Sequence, residues 1–153
     1  MRLIICLVIC IAVCGLSNTA PAVPSQTRCQ NVRGTVEADI TGTSGACPVA
    51  TIEGQVFDET GTLIGSTSAC ITNFEQLGNG AIHTDLSHDY SIGPLNFSTD
   101  DQGVLSEIAP NLFRFENSLT IVNGATGFLR AHGTVNLASG EINLTFNGRI
   151  CVE

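Results

Sequence analysis

Beyond residue 22, apolar and polar residues alternate with a period of two, in segments divided by Gly, Asn, Asp and Ser clusters. That period marks strands with one buried face, and no part of the region carries a helical period. Val32, Gly34, Val36, Ala38 and Ile40 alternate with Arg33, Thr35, Glu37 and Asp39. Ala50, Ile52, Gly54 and Val56 come next, then a turn at Asp58-Glu59-Thr60-Gly61, then Leu63, Gly65, Thr67, Ala69 and Ile71. Setting Val56 opposite Leu63 and Ile52 opposite Thr67 keeps the apolar sets together, as a hairpin requires. The same register puts Cys47 and Cys70 on the other face in a diagonal relation, which needs a bulge or a small slip to form a disulfide.

The last two segments are the most regular. Leu129, Ala131, Gly133, Val135 and Leu137 descend one strand, and Ile142, Leu144, Phe146, Gly148 and Ile150 ascend the next. The expected pairs are Leu137 with Ile142, Val135 with Leu144, Gly133 with Phe146, Ala131 with Gly148 and Leu129 with Ile150. Leu129, Val135, Leu137, Ile142, Leu144, Phe146 and Ile150 are therefore expected to point inward, with Phe146 covering Gly133. Between the two hairpins lie a less regular strand with Ile82, Leu86 and Tyr90, a short Leu95 to Phe97 piece, Val104 to Ile108, and a strand from Phe113 to Ile121. About eight strands at short, even spacing predict an all-β fold, an antiparallel β-barrel in one domain over residues 23–153.

The first 22 residues read differently. Arg2 is a positive n-region, Leu3 to Val13 is too short to span a bilayer, and Ala20-Pro21-Ala22 is a small-x-small cleavage site. This is the pattern of a cleavable signal peptide over residues 1–22, and it predicts a secreted or periplasmic, extracellular protein. Four of the seven cysteines, Cys29, Cys47, Cys70 and Cys151, lie beyond it. In an exported domain they predict two disulfides, with three connectivities open. No C-x-x-C pair exists to start a zinc site. Cys29 precedes the first strand and Cys151 follows the last, so they are neighbours if those strands meet at a barrel seam. The favoured pairing is Cys29 with Cys151 and Cys47 with Cys70.

Charge narrows the partners. Six cationic side chains, all arginine, face fourteen acids, for a net charge of −8. Such a surface disfavours nucleic acid and, once the leader is gone, membrane attachment through basic patches. Without lysine there is no Schiff-base or pyridoxal chemistry, and no motif implies another cofactor. The absence of Trp, with Tyr90 the sole tyrosine, weakens a carbohydrate-binding reading.

The run Leu119-Thr120-Ile121-Val122-Asn123-Gly124-Ala125-Thr126-Gly127-Phe128-Leu129-Arg130-Ala131-His132-Gly133, within Phe113 to Cys151, resembles the barrel proteins related to allene oxide cyclase and dirigent proteins. In those families a late strand ends in a Gly-rich turn followed by a small-x-Gly step. The resemblance implies an eight-stranded antiparallel barrel with an apolar cavity, forming homo-oligomers in some members. In the cyclases the cavity steers ring closure of a lipid epoxide; in dirigent proteins it orients phenoxy radicals. No catalytic residue of these families falls on a matching motif here.

Candidate chemistry is sparse. No G-x-S-x-G or zinc-protease signature is present. His83, Asp85, His88 and Asp89 form the one cluster able to hold metal or move protons, but His83 and Asp85 share a face while His88 takes the other, so no metal site is expected. The run Ser98-Thr99-Asp100-Asp101-Gln102-Gly103 reads as a plain turn. His132, between Arg130 and Thr134, reads as part of a solvent face, with a polar-lined cavity as the alternative. Asn96-Phe97-Ser98 and Asn143-Leu144-Thr145 are glycosylation sequons. The pattern as a whole fits a disulfide-stabilised barrel, not an enzyme, that binds a small hydrophobic molecule or a protein partner. The alternatives are a cyclase or stereochemical guide for a hydrophobic substrate, and a packed structural domain without a ligand.

Overall fold

The computed structural model describes residues 27–152. The expected signal peptide, residues 1–22, lies outside the described residues. Eight strands follow one another: β1 (Arg28–Ser44), β2 (Cys47–Asp58), β3 (Leu63–Gln76), β4 (Ile82–Ile92), β5 (Leu95–Ala109), β6 (Leu112–Asn123), β7 (Thr126–Asn136) and β8 (Glu141–Val152). Each pairs antiparallel with the next, and β1 pairs with β8, so the sheet closes into a barrel whose strand order is the chain order. Closure gives every strand two neighbours and leaves no open edge.

The expected alternation decides which side chains enter the barrel. Val36, Ala38, Ile52, Val56, Leu129, Val135, Ile142, Leu144, Phe146 and Ile150 are all buried, and their sequence neighbours face solvent. Registers differ from the expected ones by two residues at both hairpins. In β2–β3, Val56 lies opposite Gly65 and Ile52 opposite Ala69. Asp58 causes this by accepting from the backbone N–H groups of Thr60 and Thr62 and the Thr60 hydroxyl, which makes a wide turn beside a bulge at Phe57. In β7–β8, Val135 meets Ile142, Ala131 meets Phe146 and Leu129 meets Gly148. There Asn136 ends the strand: its side-chain oxygen accepts from the Ala138 and Ser139 N–H groups and its carbonyl accepts from Gly140 N–H. Gly140 completes the turn at φ 85°. Leu137, expected inside, is consequently a turn residue and 39% exposed. A shift of two residues keeps every side chain on its face, so alternation alone cannot detect it.

Phe146 covers Gly34 on β1 rather than Gly133; a Cβ on Gly34 would run into the phenyl ring. The other correction concerns Ser98–Gly103, which is no turn. It is the middle of β5, a fifteen-residue strand that joins the two short pieces expected there.

Both disulfides have the favoured pairing. Cys29 and Cys151 bridge the β1–β8 seam, where they are direct register partners. Cys47 and Cys70 are joined with Cα atoms 5.2 Å apart, next to register slips in β1–β2 between Ile40 and Ser44. Two such bridges fit an oxidising compartment.

Candidate functional site

The two ends of the barrel differ. At the end carrying the β1–β2, β3–β4, β5–β6 and β7–β8 turns, Ile71, Leu86, Leu105, Phe113, Val135 and Ile142 belong to a continuous buried core. The other end carries the Cys29–Cys151 seam, and there a cup of about 1240 Å³ extends from the barrel mouth over its rim. Ile64, Ile92, Leu129, Phe146 and Ile150 form its apolar wall, and Gln30, Asn31, Asn96 and Thr126 add polar lining. Arg28, Arg33, Asp58 and Glu59 stand on the rim. Arg33 and Glu59 approach to 3.9 Å across it. On the same rim, the Thr60 hydroxyl and the Thr62 N–H hold the Asp58 carboxyl below its ordinary value of 3.8.

Tyr90 and Phe97, register partners on β4 and β5, also line the cup. Their rings stack at 4.9 Å and 10°, and His88 stacks on the other side of Tyr90 at 4.3 Å. Strand alternation puts His88 and Tyr90 on one face of β4, and Phe97, Thr99 and Asp101 on one face of β5. The column from Phe97 through Thr99 to Asp101 thus runs from the cup into the barrel.

Beneath the rings lies a buried polar network. Asp101 Oδ2 accepts from His88 Nδ1–H at 2.9 Å and from Asn117 Nδ2–H at 3.0 Å. The Tyr90 hydroxyl lies 3.2 Å from His88 Nδ1. The Thr67 hydroxyl touches His88 Nε2 and donates to the Asp89 carbonyl. Burial, and next the Asp101 charge, push the Tyr90 hydroxyl well above its ordinary value of 10.0. Three buried oxygens in this region have no hydrogen-bond partner: Thr99 Oγ1, Asp101 Oδ1 and Asn117 Oδ1. Chemically the network can hold a proton on the imidazole between a carboxylate and a hydroxyl, and it offers acceptors to an incoming donor.

Of the polar cluster singled out by sequence only His88 enters this network; the other members lie elsewhere. His83 and Asp85 point outward on β4, 3.9 Å apart, and Asp85 also accepts from Asn73. His132 is exposed on the outer face of β7, across from Glu116, so the polar face of the last hairpin faces solvent and not a cavity. Asn96 and Asn143 are exposed too. Nothing brings His132 to the His83–Asp85 pair, and no group of three His, Cys, Asp or Glu able to hold a metal occurs among the described residues. Asn117 carries no motif in the sequence, Thr99 and Asp101 lie in the run that reads as a turn, and Thr67 reads only as an inward strand position. The available signal was parity: Thr99, Asp101 and Gly103 share the inward phase of Phe97 and Leu105, and His88 shares that of Leu86 and Tyr90. No protein-family model matches the chain, and no curated protein matches it.

Proposed function

We propose that this is an exported carrier or receptor barrel that takes a small apolar molecule into the cup at its Cys29–Cys151 end. The observation that supports the reading is the concave mouth at the Cys29–Cys151 end, a cleft of about 1240 Å³ whose apolar lining includes Leu129, Phe146 and Ile150. An eight-stranded barrel has a bore that side chains can fill completely or that can hold one small ligand. An apolar wall with a few polar groups at its base is what small-molecule sites share. Binding draws mainly on the hydrophobic transfer of the ligand into a site walled by Leu129, Phe146 and Ile150.

Tyr90 supplies the test, because it is the only tyrosine and the chain has no tryptophan. Titration with n-octanol should change Tyr90 fluorescence saturably, and Leu129→Phe, which fills the cup, should weaken the binding about tenfold or more. An unresponsive Tyr90, together with no n-octanol retained by native mass spectrometry, would overturn the reading. A second reading is favoured by the buried Asp101 next to the cup: a cyclase or stereochemical guide, as in the allene oxide cyclase and dirigent barrels that the C-terminal strands resemble. In that case product stereochemistry, and not only binding, should change in Asp101→Asn.

A further inference from the structure

Thr99 Oγ1, Asp101 Oδ1 and Asn117 Oδ1 are buried polar atoms without partners, in residues that are 1%, 2% and 6% exposed. An orphaned buried acceptor forfeits its hydration, so such groups in a folded protein pair with a protein group, an ordered water or a ligand. Two of the three can only accept, and the third is a hydroxyl that can do either. Asp101 and Asn117 are in direct contact through Nδ2–H and Oδ2, which fixes the amide so that Asn117 Oδ1 cannot be its donor. Thr99 stands one inward step below Phe97 on β5, and Asp101 stands two. These oxygens lie below the cup, whose lining on this side ends at Tyr90 and Phe97, so an occupant reaches them only by parting that stack.

We propose that the occupant of the cup is an apolar molecule ending in a hydroxyl group, whose O–H passes the Tyr90–Phe97 stack and donates to Asp101, with Thr99 and Asn117 as flanking partners. This deepens the carrier reading and rests on it. A neutral donor fits better than an ammonium group, because the Asp101 carboxylate already faces the His88 imidazole at 2.9 Å, and the Thr99 and Asn117 oxygens are uncharged. A molecule with only acceptor oxygens at its polar end would set lone pairs against Asp101 Oδ1 and leave it unpartnered.

The experiment compares n-octanol with heptyl methyl ether, equal in heavy atoms but unable to donate, each titrated against Tyr90 fluorescence in the full mature chain. The alcohol should bind about tenfold more tightly, the usual contribution of a hydrogen bond to a charged acceptor. Asp101→Asn keeps the shape and the bonds from His88 and Asn117 but puts an amide N–H₂ where Oδ1 stood. In that variant the amide N–H₂ can donate to either oxygen, so the ether should gain and the alcohol should lose its advantage, an effect that loss of stability alone does not produce. If Asp101→Asn fails to fold, Thr99→Val removes only a hydroxyl and should lower the preference about threefold. Equal binding of alcohol and ether by the wild-type protein, or a preference that survives in the folded variants, overturns this inference and leaves the carrier reading standing. Failure of both compounds to bind sinks the carrier reading itself.

Discussion

The arc of wall formed by β7, β8, β1 and β2 and the arc formed by β3 to β6 belong to one closed ladder, but they face the interior with different chemistry. Among the described residues the buried polar ones, Thr67, Thr84, His88, Thr99, Asp101 and Asn117, all come from the second arc. The buried side chains of the first are aliphatic or phenyl groups and Cys47, with Gly34, Gly54, Gly133 and Gly148 at inward positions. The difference shows two ways to fill a narrow bore. Glycine makes room for large side chains from neighbouring strands on both arcs, as Gly34 does for Phe146 and Gly103 for Phe115. On the polar arc a hydrogen-bonded cluster occupies the space, at a desolvation cost that its internal bonds offset only where they are complete. Three oxygens lack such bonds, and they belong to the arc that also supplies Tyr90 and Phe97 to the cup.

The contrast can be broken at several places. The largest effect should come from the seam of the apolar arc: replacing Cys29 and Cys151 together by alanine frees a loop of sequence separation 122 and should cost about 5 kcal/mol. The Cys47–Cys70 bridge, of separation 23, should be worth about 3 kcal/mol, both read from urea midpoints under oxidising conditions. Next, Asp101→Ala strands the buried His88 and should cost about 4 kcal/mol, whereas the paired replacement His88→Phe with Asp101→Leu should recover most of the loss. A double-mutant cycle by chemical denaturation checks this, and a paired variant as unstable as the single one would show that the polar arc is not an isolated network. Within the apolar arc, Ile142→Ala and Leu129→Ala, both buried in the one core, should each cost about 3 kcal/mol.

Two smaller effects concern pH. Burial raises the Tyr90 hydroxyl in the folded protein, so its contribution to stability is complete below about pH 10 and is lost as pH rises beyond the unfolded value. Absorbance titration should show no tyrosinate until the barrel unfolds, and Tyr90→Phe should make unfolding less dependent on alkali. On the exposed rim, Asp58 is lowered in the folded state, so its contribution is present above the unfolded value of 3.8 and is lost as pH falls through the lower folded value. Asp58→Asn should slightly flatten the acid limb of the stability profile.

The difference between the arcs also explains what could be read in advance. On β7 and β8 the inward positions are apolar, so the period is unbroken and the inward set was correct apart from Leu137. On β5 the inward set includes Thr99, Asp101 and Gly103, and the alternation vanishes where the bore itself is polar. A hydrophobicity pattern reports a buried face only while burial and apolarity coincide. Asp101 accordingly looked like part of a turn, and His83 with Asp85 drew attention because clustered polar residues in sequence are conspicuous, although they point to solvent.

Alternation along the chain determined the all-β class, the face each side chain takes and, through the positions of Cys29 and Cys151, where the ends of the sheet meet. These are properties of single strands and of their order, and the residues carry them locally. Registers, the bulge at Phe57, the exposure of Leu137 and the contact of Asp101 with His88 and Asn117 were decided only in the closed barrel. They depend on how turn hydrogen bonds and side-chain volumes across three or more strands are satisfied together, and a period of two contains no information about distances between strands.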